Sequence, residues 1–487
     1  MQKLFISIIL IFGSFLALNA QNRPKIVVGI VIDQMRYDYL YRYYESYGDD
    51  GFKRLLNGGF SYENTMINYL PTYTAVGHAS IYTGTVPSIH GIAGNGFIRQ
   101  KTGEWVNNVE DITRYAVGID STANAGKCSP KNLLTTTITD ELKLATDFNS
   151  IVMGIAIKDR AAILPAGHTA NAAYWFCSKS GKWLTSSFYM KKLPNWLKEH
   201  NEKTVFPKKV DNTPQGNTIT FEMAYLALEN EAFGKDSIPD FLTLSFSSPD
   251  IIGHNHGVHS EEIKDCYISL DKELGEFLKY LDKKFGKEEY LLFLTADHGC
   301  AHNAAFLDSN KINSGIFYEF EILKNLNDYL KKKFKKDDIV LSLNNYQVNF
   351  NYPNIQKIPH EKLIDACIEF LEDLPSVHYA VEQKKIAQAP IPQVIKECII
   401  NGYNREYSGE IQIILKPAYY ALGGGYVVST HGSWNPYDSH IPFILYGEGI
   451  KSGKSTQQVY ITDIAATLAE LLKIQKPNGC IGRPVYE

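Results

Sequence analysis

The seven cysteines of this chain, Cys128, Cys177, Cys266, Cys300, Cys367, Cys398 and Cys480, include no CxxC pair, which argues against a thiolate zinc site. Their odd number leaves at least one thiol unpaired within the chain, and no disulfide connectivity is assigned. No long basic stripe exists either. With a formal net charge of -4, nucleic acid is not expected as a specific partner. Beyond the N-terminal run Leu4–Leu18 there is no long apolar stretch, so no membrane-spanning segment is expected after it. Internal repeats and low-complexity tracts are missing too. The 44% hydrophobic and 21% charged residues are ordinary for a soluble enzyme and leave the chemistry open.

The N-terminus carries an address. Lys3 precedes the apolar run, and Asn19-Ala20-Gln21 places a small residue at a cleavage point. Residues 1–20 therefore read as a secretory signal peptide cut after Ala20, and the run is short for a bilayer span. No cysteine sits at the cut, which disfavours a lipoprotein. The mature chain is expected to be periplasmic or secreted, with no membrane association.

At 487 residues the chain is long for one simple core, and one large domain with a smaller insertion is expected. KIVVGIVID, SIVMGIAI, DFLTLSFSS and EYLLFLTAD are continuous apolar runs, as strands buried on both faces of a parallel sheet require. Between them LTTTITDELKLATD, FEMAYLALENEA and EEIKDCYISLDKELGEFLKYLDKKFG have helical periodicity. The alternation predicts an α/β fold, a three-layer α/β/α arrangement around a mostly parallel sheet. From about Phe317 the texture changes to a lysine-rich helix and short strands. Residues 317–417 are expected to form an α+β cap inserted into a catalytic domain of residues 21–316 and 418–487.

Four segments place metal-binding groups where strands are expected to end: Asp33, Asp250 with His254, Asp297 with His298, and His431 in VVSTHGSWNP. Such acids and histidines are costly to bury unless paired or metal-bound. Singly, each reads more simply as a helix cap or a structural histidine. Their combination points to a two-metal hydrolytic centre. Asp250 and His254, spaced D-x3-H, can face one ion from a helical turn or tight loop; adjacent Asp297 and His298 can diverge to two groups. NYLPTYTAVGHAS offers hydroxyls at the start of a helix, whose positive field favours an alkoxide. Thr74 is the preferred nucleophile and Thr72 the alternative. Lys158 and Arg160, alternating in KDR, and Asn95 in a glycine-rich turn, are the candidates for holding phosphoryl oxygens. A surface ion pair and a turn residue are the simpler alternatives. His78 and His90 read as structural, His256 and His259 as solvent-facing or locally packed, and Cys300 as a buried structural thiol.

With TADHG and THGS followed by HIPF, in this order from about Lys25 onward, the chain resembles the alkaline phosphatase superfamily, and most of all its PafA branch of monomeric, exported phosphate-monoester hydrolases. The resemblance implies two zinc ions, one held by Asp250, His254 and His431, the other by Asp33, Asp297 and His298, with Thr74 at the metals. It implies that Asn95, Lys158 and Arg160 contact the phosphoryl group of small phosphate monoesters. A phosphothreonine would form on Thr74 and then be hydrolysed. Ligands for an additional magnesium cannot be placed, so magnesium is not expected. PTYTAVG does not match the C/S-x-P-x-R context of sulfatases. The alternative within the superfamily is a nucleotide pyrophosphatase/phosphodiesterase.

Overall fold

Ile26–Ile32, IVVGIVI, is buried at every position and forms the centre of a ten-stranded sheet. The structure, a computed structural model, describes residues 23–207, 209–423 and 427–486. The expected signal peptide lies outside them. Parallel neighbours run in the order Tyr290–Thr295, Ile26–Ile32, Asp240–Phe246, Val152–Ala156 and Ala172–Cys177. On each side of this parallel set the next strand is antiparallel. Phe443–Gly447 pairs with Tyr290–Thr295, and Lys182–Ser186 pairs with Ala172–Cys177. The β-branched, two-sided apolar runs of the sequence thus became the interior of the sheet, as burial on both faces demands.

Helices cover the sheet in two groups, giving the three-layer arrangement. Thr74–Thr83, Ile138–Ala145, Asp159–Ala166 and Asp463–Leu472 pack together, while Gln215–Asn230, Ser248–His256 and Glu261–Lys284 form the other group. Thr74–Thr83 is buried along its entire length. It lies directly on the central strand: a Cβ at Gly29 would sit 2.6 Å from Tyr82 Oη and 2.7 Å from the Phe293 ring. Glycine in that strand is the condition for the close approach.

Within the 317–417 stretch the strands Val340–Ser342, Gln347–Phe350, Ile411–Leu415 and Val377–Glu382 form a separate antiparallel sheet. Helices Glu319–Phe334 and His360–Glu372 pack on it around an apolar cluster containing Leu326, Leu330, Leu363 and Ile413. All seven cysteines are free, and Cys300 is fully buried against Ser429, as a structural thiol should be.

Candidate metal and phosphoryl site

Adjacent parallel strands deliver the acids. Asp33 follows Ile32 directly, Asp297 and His298 follow Tyr290–Thr295, and Asp250 lies in the first turn of Ser248–His256, just beyond Asp240–Phe246. This is the carboxyl-end crevice where open α/β sheets bind ligands. His431 arrives differently. The sequence reading gave it a preceding strand, but residues 427–431 have none. Their path is fixed instead by individual bonds, including Val428 N–H to the His254 carbonyl at 2.8 Å.

The donors converge. His254 Nε2 is 3.1 Å from Asp250 Oδ1, and His431 Nε2 is 3.6 Å from the same oxygen. His298 Nε2 lies 3.5 Å from Asp33 Oδ1 and 3.6 Å from Asp297 Oδ2. Two groups suited to a metal ion result: Asp250, His254 and His431, and Asp33, Asp250 and His298. Asp250 belongs to both, whereas the sequence reading gave the second set Asp297 in its place. Asp297 borders that set through His298. Thr74 Oγ1 is 3.4 Å from His298 Nε2, so the threonine oxygen faces the same space.

All three histidines are tied from behind to backbone carbonyls. The bonds run from His254 Nδ1 to Ser429 at 2.8 Å, from His298 Nδ1 to Gly299 at 2.9 Å, and from His431 Nδ1 to Thr72 at 2.7 Å. A carbonyl only accepts, so each Nδ1 carries a proton and each Nε2 is turned into the site. This is how metal-ligating imidazoles are oriented. Burial, with His298 and His254 nearby, pushes His431 well below the ordinary histidine range, keeping it neutral as a ligand must be.

The residues fit divalent cations. Asp33 Oδ1 and Asp297 Oδ2 are buried without a hydrogen-bond donor among the described residues. Burial and the carboxylates of Asp250 and Asp297 push the Asp33 carboxyl up to about 8. Burial also opposes charge on Asp250, but Lys158 and His254 outweigh it and hold that carboxyl well below its usual range. Crowded buried carboxylates facing imidazole nitrogens are satisfied by a hard or borderline cation rather than by one another.

Thr74 opens the buried helix, as anticipated. Thr72 does not compete with it: its hydroxyl donates to the Ser433 carbonyl and accepts from Gly432 N–H. Asn95 Oδ1 accepts the Ala75 N–H at 2.9 Å, placing its amide at the first turn of that helix. Lys158 and Arg160 follow the strand Val152–Ala156, as expected, but at a helix start rather than in extended alternation. Lys158 precedes the helix Asp159–Ala166 and Arg160 lies in its first turn. Lys158 Nζ is 2.6 Å from both Asp33 Oδ2 and Asp250 Oδ2, while the buried Arg160 Nε has no hydrogen-bond partner among the described residues and Arg160 Nη1 lies 3.8 Å from Asp159 Oδ1.

Two residues at the site escaped the sequence reading. His78, set aside as structural, gives its Nδ1 proton to the Thr74 carbonyl at 2.9 Å and stands 3.2 Å from Asp297 Oδ2. The i,i+4 spacing from Thr74 was the available signal. Gln34 donates from Nε2 to Asp250 Oδ1 at 2.7 Å and from its backbone to Asp297 Oδ1 at 3.1 Å. It does so with φ at 68°, which no local pattern announces. His90 is structural, bound to Ser80 Oγ and Ile92 N–H, and His256 and His259 pair locally with Glu262 and His302.

The pattern of the type I phosphodiesterase / nucleotide pyrophosphatase family matches residues 27–434. A Myroides odoratus protein named calcium-transporting ATPase is 47% identical, over 98% of this chain and 97% of its own length. Alkaline phosphatase PafA of Elizabethkingia meningoseptica is 43% identical, over 96% of this chain and 95% of its own. A crystal structure of wild-type PafA shares the fold with a TM-score of 0.92 at 43% identity, covering 96% of this chain and 99% of that one.

Proposed function

The chain belongs to the type I phosphodiesterase / nucleotide pyrophosphatase family, within the alkaline phosphatase superfamily, and from that premise we propose that it hydrolyses phosphate monoesters through a phosphothreonine on Thr74 at a two-zinc site. It is a phosphomonoester hydrolase. The reading rests on one observation: two acid–histidine groups sharing Asp250 converge on the space that Thr74 Oγ1 faces.

Asp250, His254 and His431 would hold one zinc, and Asp33, Asp297 and His298 the other, with Asp250 near both. Bound there, the metals supply Lewis-acid stabilisation of the entering and leaving oxygens. The protein does the rest. The buried helix beginning at Thr74 favours negative charge on Oγ1 and fixes its direction of attack. Asn95, anchored to the same helix, and Arg160, with its unpaired Nε, meet the non-bridging oxygens. Lys158 contributes positive charge between the acids and the substrate. We also assign residues 317–417 to a cap over the site, residues 1–20 to an export signal, and a monomeric state to the mature enzyme. No magnesium is part of the scheme.

The second reading, a nucleotide pyrophosphatase/phosphodiesterase, is raised by the matching family itself. Lys158 and Arg160 favour the dianionic monoester, because a diester presents one charged oxygen fewer. The relative named an ATPase is compatible with the monoester reading, since the terminal phosphate of ATP is itself a dianionic phosphoryl group. The test is turnover of an aryl phosphate monoester against the matching diester, with zinc content measured on the same sample. Monoester preference with about two zinc ions per chain is expected; a clear diester preference overturns the assignment.

A further inference from the structure

The loop Asn344–Tyr346, between the strands Val340–Ser342 and Gln347–Phe350 of the 317–417 stretch, holds two consecutive non-glycine residues in the left-handed region, Asn345 at φ 61° and Tyr346 at φ 57°. Each such residue costs free energy and persists only where its surroundings demand it. The surroundings here are the two turns on either side of Thr74. Asn344 Nδ2 and Asn345 Nδ2 both donate to the Gly96 carbonyl, at 2.9 and 3.0 Å. Tyr346 Oη donates to the His431 carbonyl at 3.3 Å.

The fit around Asn95 is tight. A Cβ on Gly94 would lie 2.6 Å from Asn345 Nδ2 and 2.7 Å from Asn345 Oδ1, so the carboxamide occupies the space a side chain there would need. Gly94 is not in the left-handed region, so its lack of a side chain answers to this contact rather than to backbone strain. Asn345 is therefore packed against Gly94, bonded to Gly96, and separated from substrate by the Asn95 turn between them. Asn95 in turn accepts the Ala75 N–H.

We propose that Asn345 is a positioning residue. It sets the Gly94–Gly96 turn, and through it the Asn95 amide, for the phosphoryl group bound beside Thr74. The 317–417 stretch then shapes the phosphoryl subsite itself and does more than cover the leaving group. The inference builds on the role given to Asn95 in the preceding subsection.

The test uses the full mature chain with its metals. Asn345→Gly keeps the left-handed backbone and removes the amide; Asn345→Asp keeps size and backbone tolerance and removes the N–H donors. Either variant is expected to speed hydrogen exchange of the segment Tyr73–Val76. Each should also raise KM for an aryl phosphate monoester and Ki for inorganic phosphate by roughly three- to tenfold, with a smaller change in kcat, as for loss of one hydrogen-bonded support. Gly94→Ala should do the same in the natural background and add nothing in Asn345→Gly. Asn345→Gly should likewise add nothing to KM in Asn95→Ala. Unchanged exchange, or full additivity in either pair, overturns the proposal. Failure of the unaltered protein to hydrolyse monoesters would sink the functional reading alone, because exchange at Tyr73–Val76 still decides this one.

Discussion

His431 gives its Nδ1 proton to the carbonyl oxygen of Thr72, 2.7 Å away and two residues before the threonine that faces the site. The Thr72 hydroxyl closes the same contact from the other side, donating to Ser433 at 3.0 Å and accepting from Gly432 at 3.1 Å. One residue thus joins the segment carrying Thr74 to the segment carrying His431.

The two neighbouring threonines are therefore expected to fail differently. Thr74→Ala should stay folded and bind metal, yet lose on the order of a thousandfold or more in kcat, because it removes the oxygen proposed to attack phosphorus. Thr72→Val keeps Thr74 but frees the His431 turn, so reduced metal occupancy and a lower melting temperature should accompany a milder loss. Equal metal content and equal kcat in the two variants would contradict this division.

Chelation should abolish turnover and also lower the melting temperature. The buried carboxylates of Asp33, Asp250 and Asp297 repel one another, so any cation that binds only the folded chain adds stability by mass action. Differential scanning calorimetry with and without chelator, followed by titration of zinc back into the sample, measures both effects.

Arg160→Ala separates substrates. Its unpaired Nε suits a charged oxygen that a monoester presents and a diester has esterified. The variant should lose ~100-fold in kcat/KM for an aryl phosphate monoester, the order expected for a charge-assisted contact made in the transition state, and clearly less for the diester. Parallel losses on both substrates would remove Arg160 from the phosphoryl subsite.

Stability should fall in acid through His90. Burial pushes this histidine down to about 3, and its Nδ1 accepts the Ile92 N–H, which demands the neutral ring. The unfolded chain takes up the proton near the ordinary value of about 6.5. Between those limits the unfolded state binds more protons, so stability rises with pH and is lost as pH drops, by up to about 1.4 kcal/mol per unit. Denaturant melts from pH 4 to 7 should show this slope, and His90→Gln should flatten it.

Much of the fold could be read from local pattern. IVVGIVI, SIVMGIAI, DFLTLSF and YLLFLT are apolar on both faces, and only interior parallel strands can use such runs. The acids at their ends followed, because a parallel sheet gathers its strand termini at one edge. Asp33, Asp250, His254, Asp297 and His298 were legible for that reason. His431 was found by its motif, although the strand expected before it does not form.

The sequence by itself determined the layers, the strand ends and the identity of the donor atoms, since these depend on periodicity and residue chemistry within short stretches. Only the tertiary structure decided that Asp250 serves both groups, that Thr72 is spent on the His431 turn, and that Lys158 reaches between Asp33 and Asp250. It also brought Gln34 and Asn345 to the site. Those relations join residues tens to hundreds of positions apart through single hydrogen bonds and contacts of a few ångströms. No local pattern encodes such distances, which exist only once the whole chain has packed.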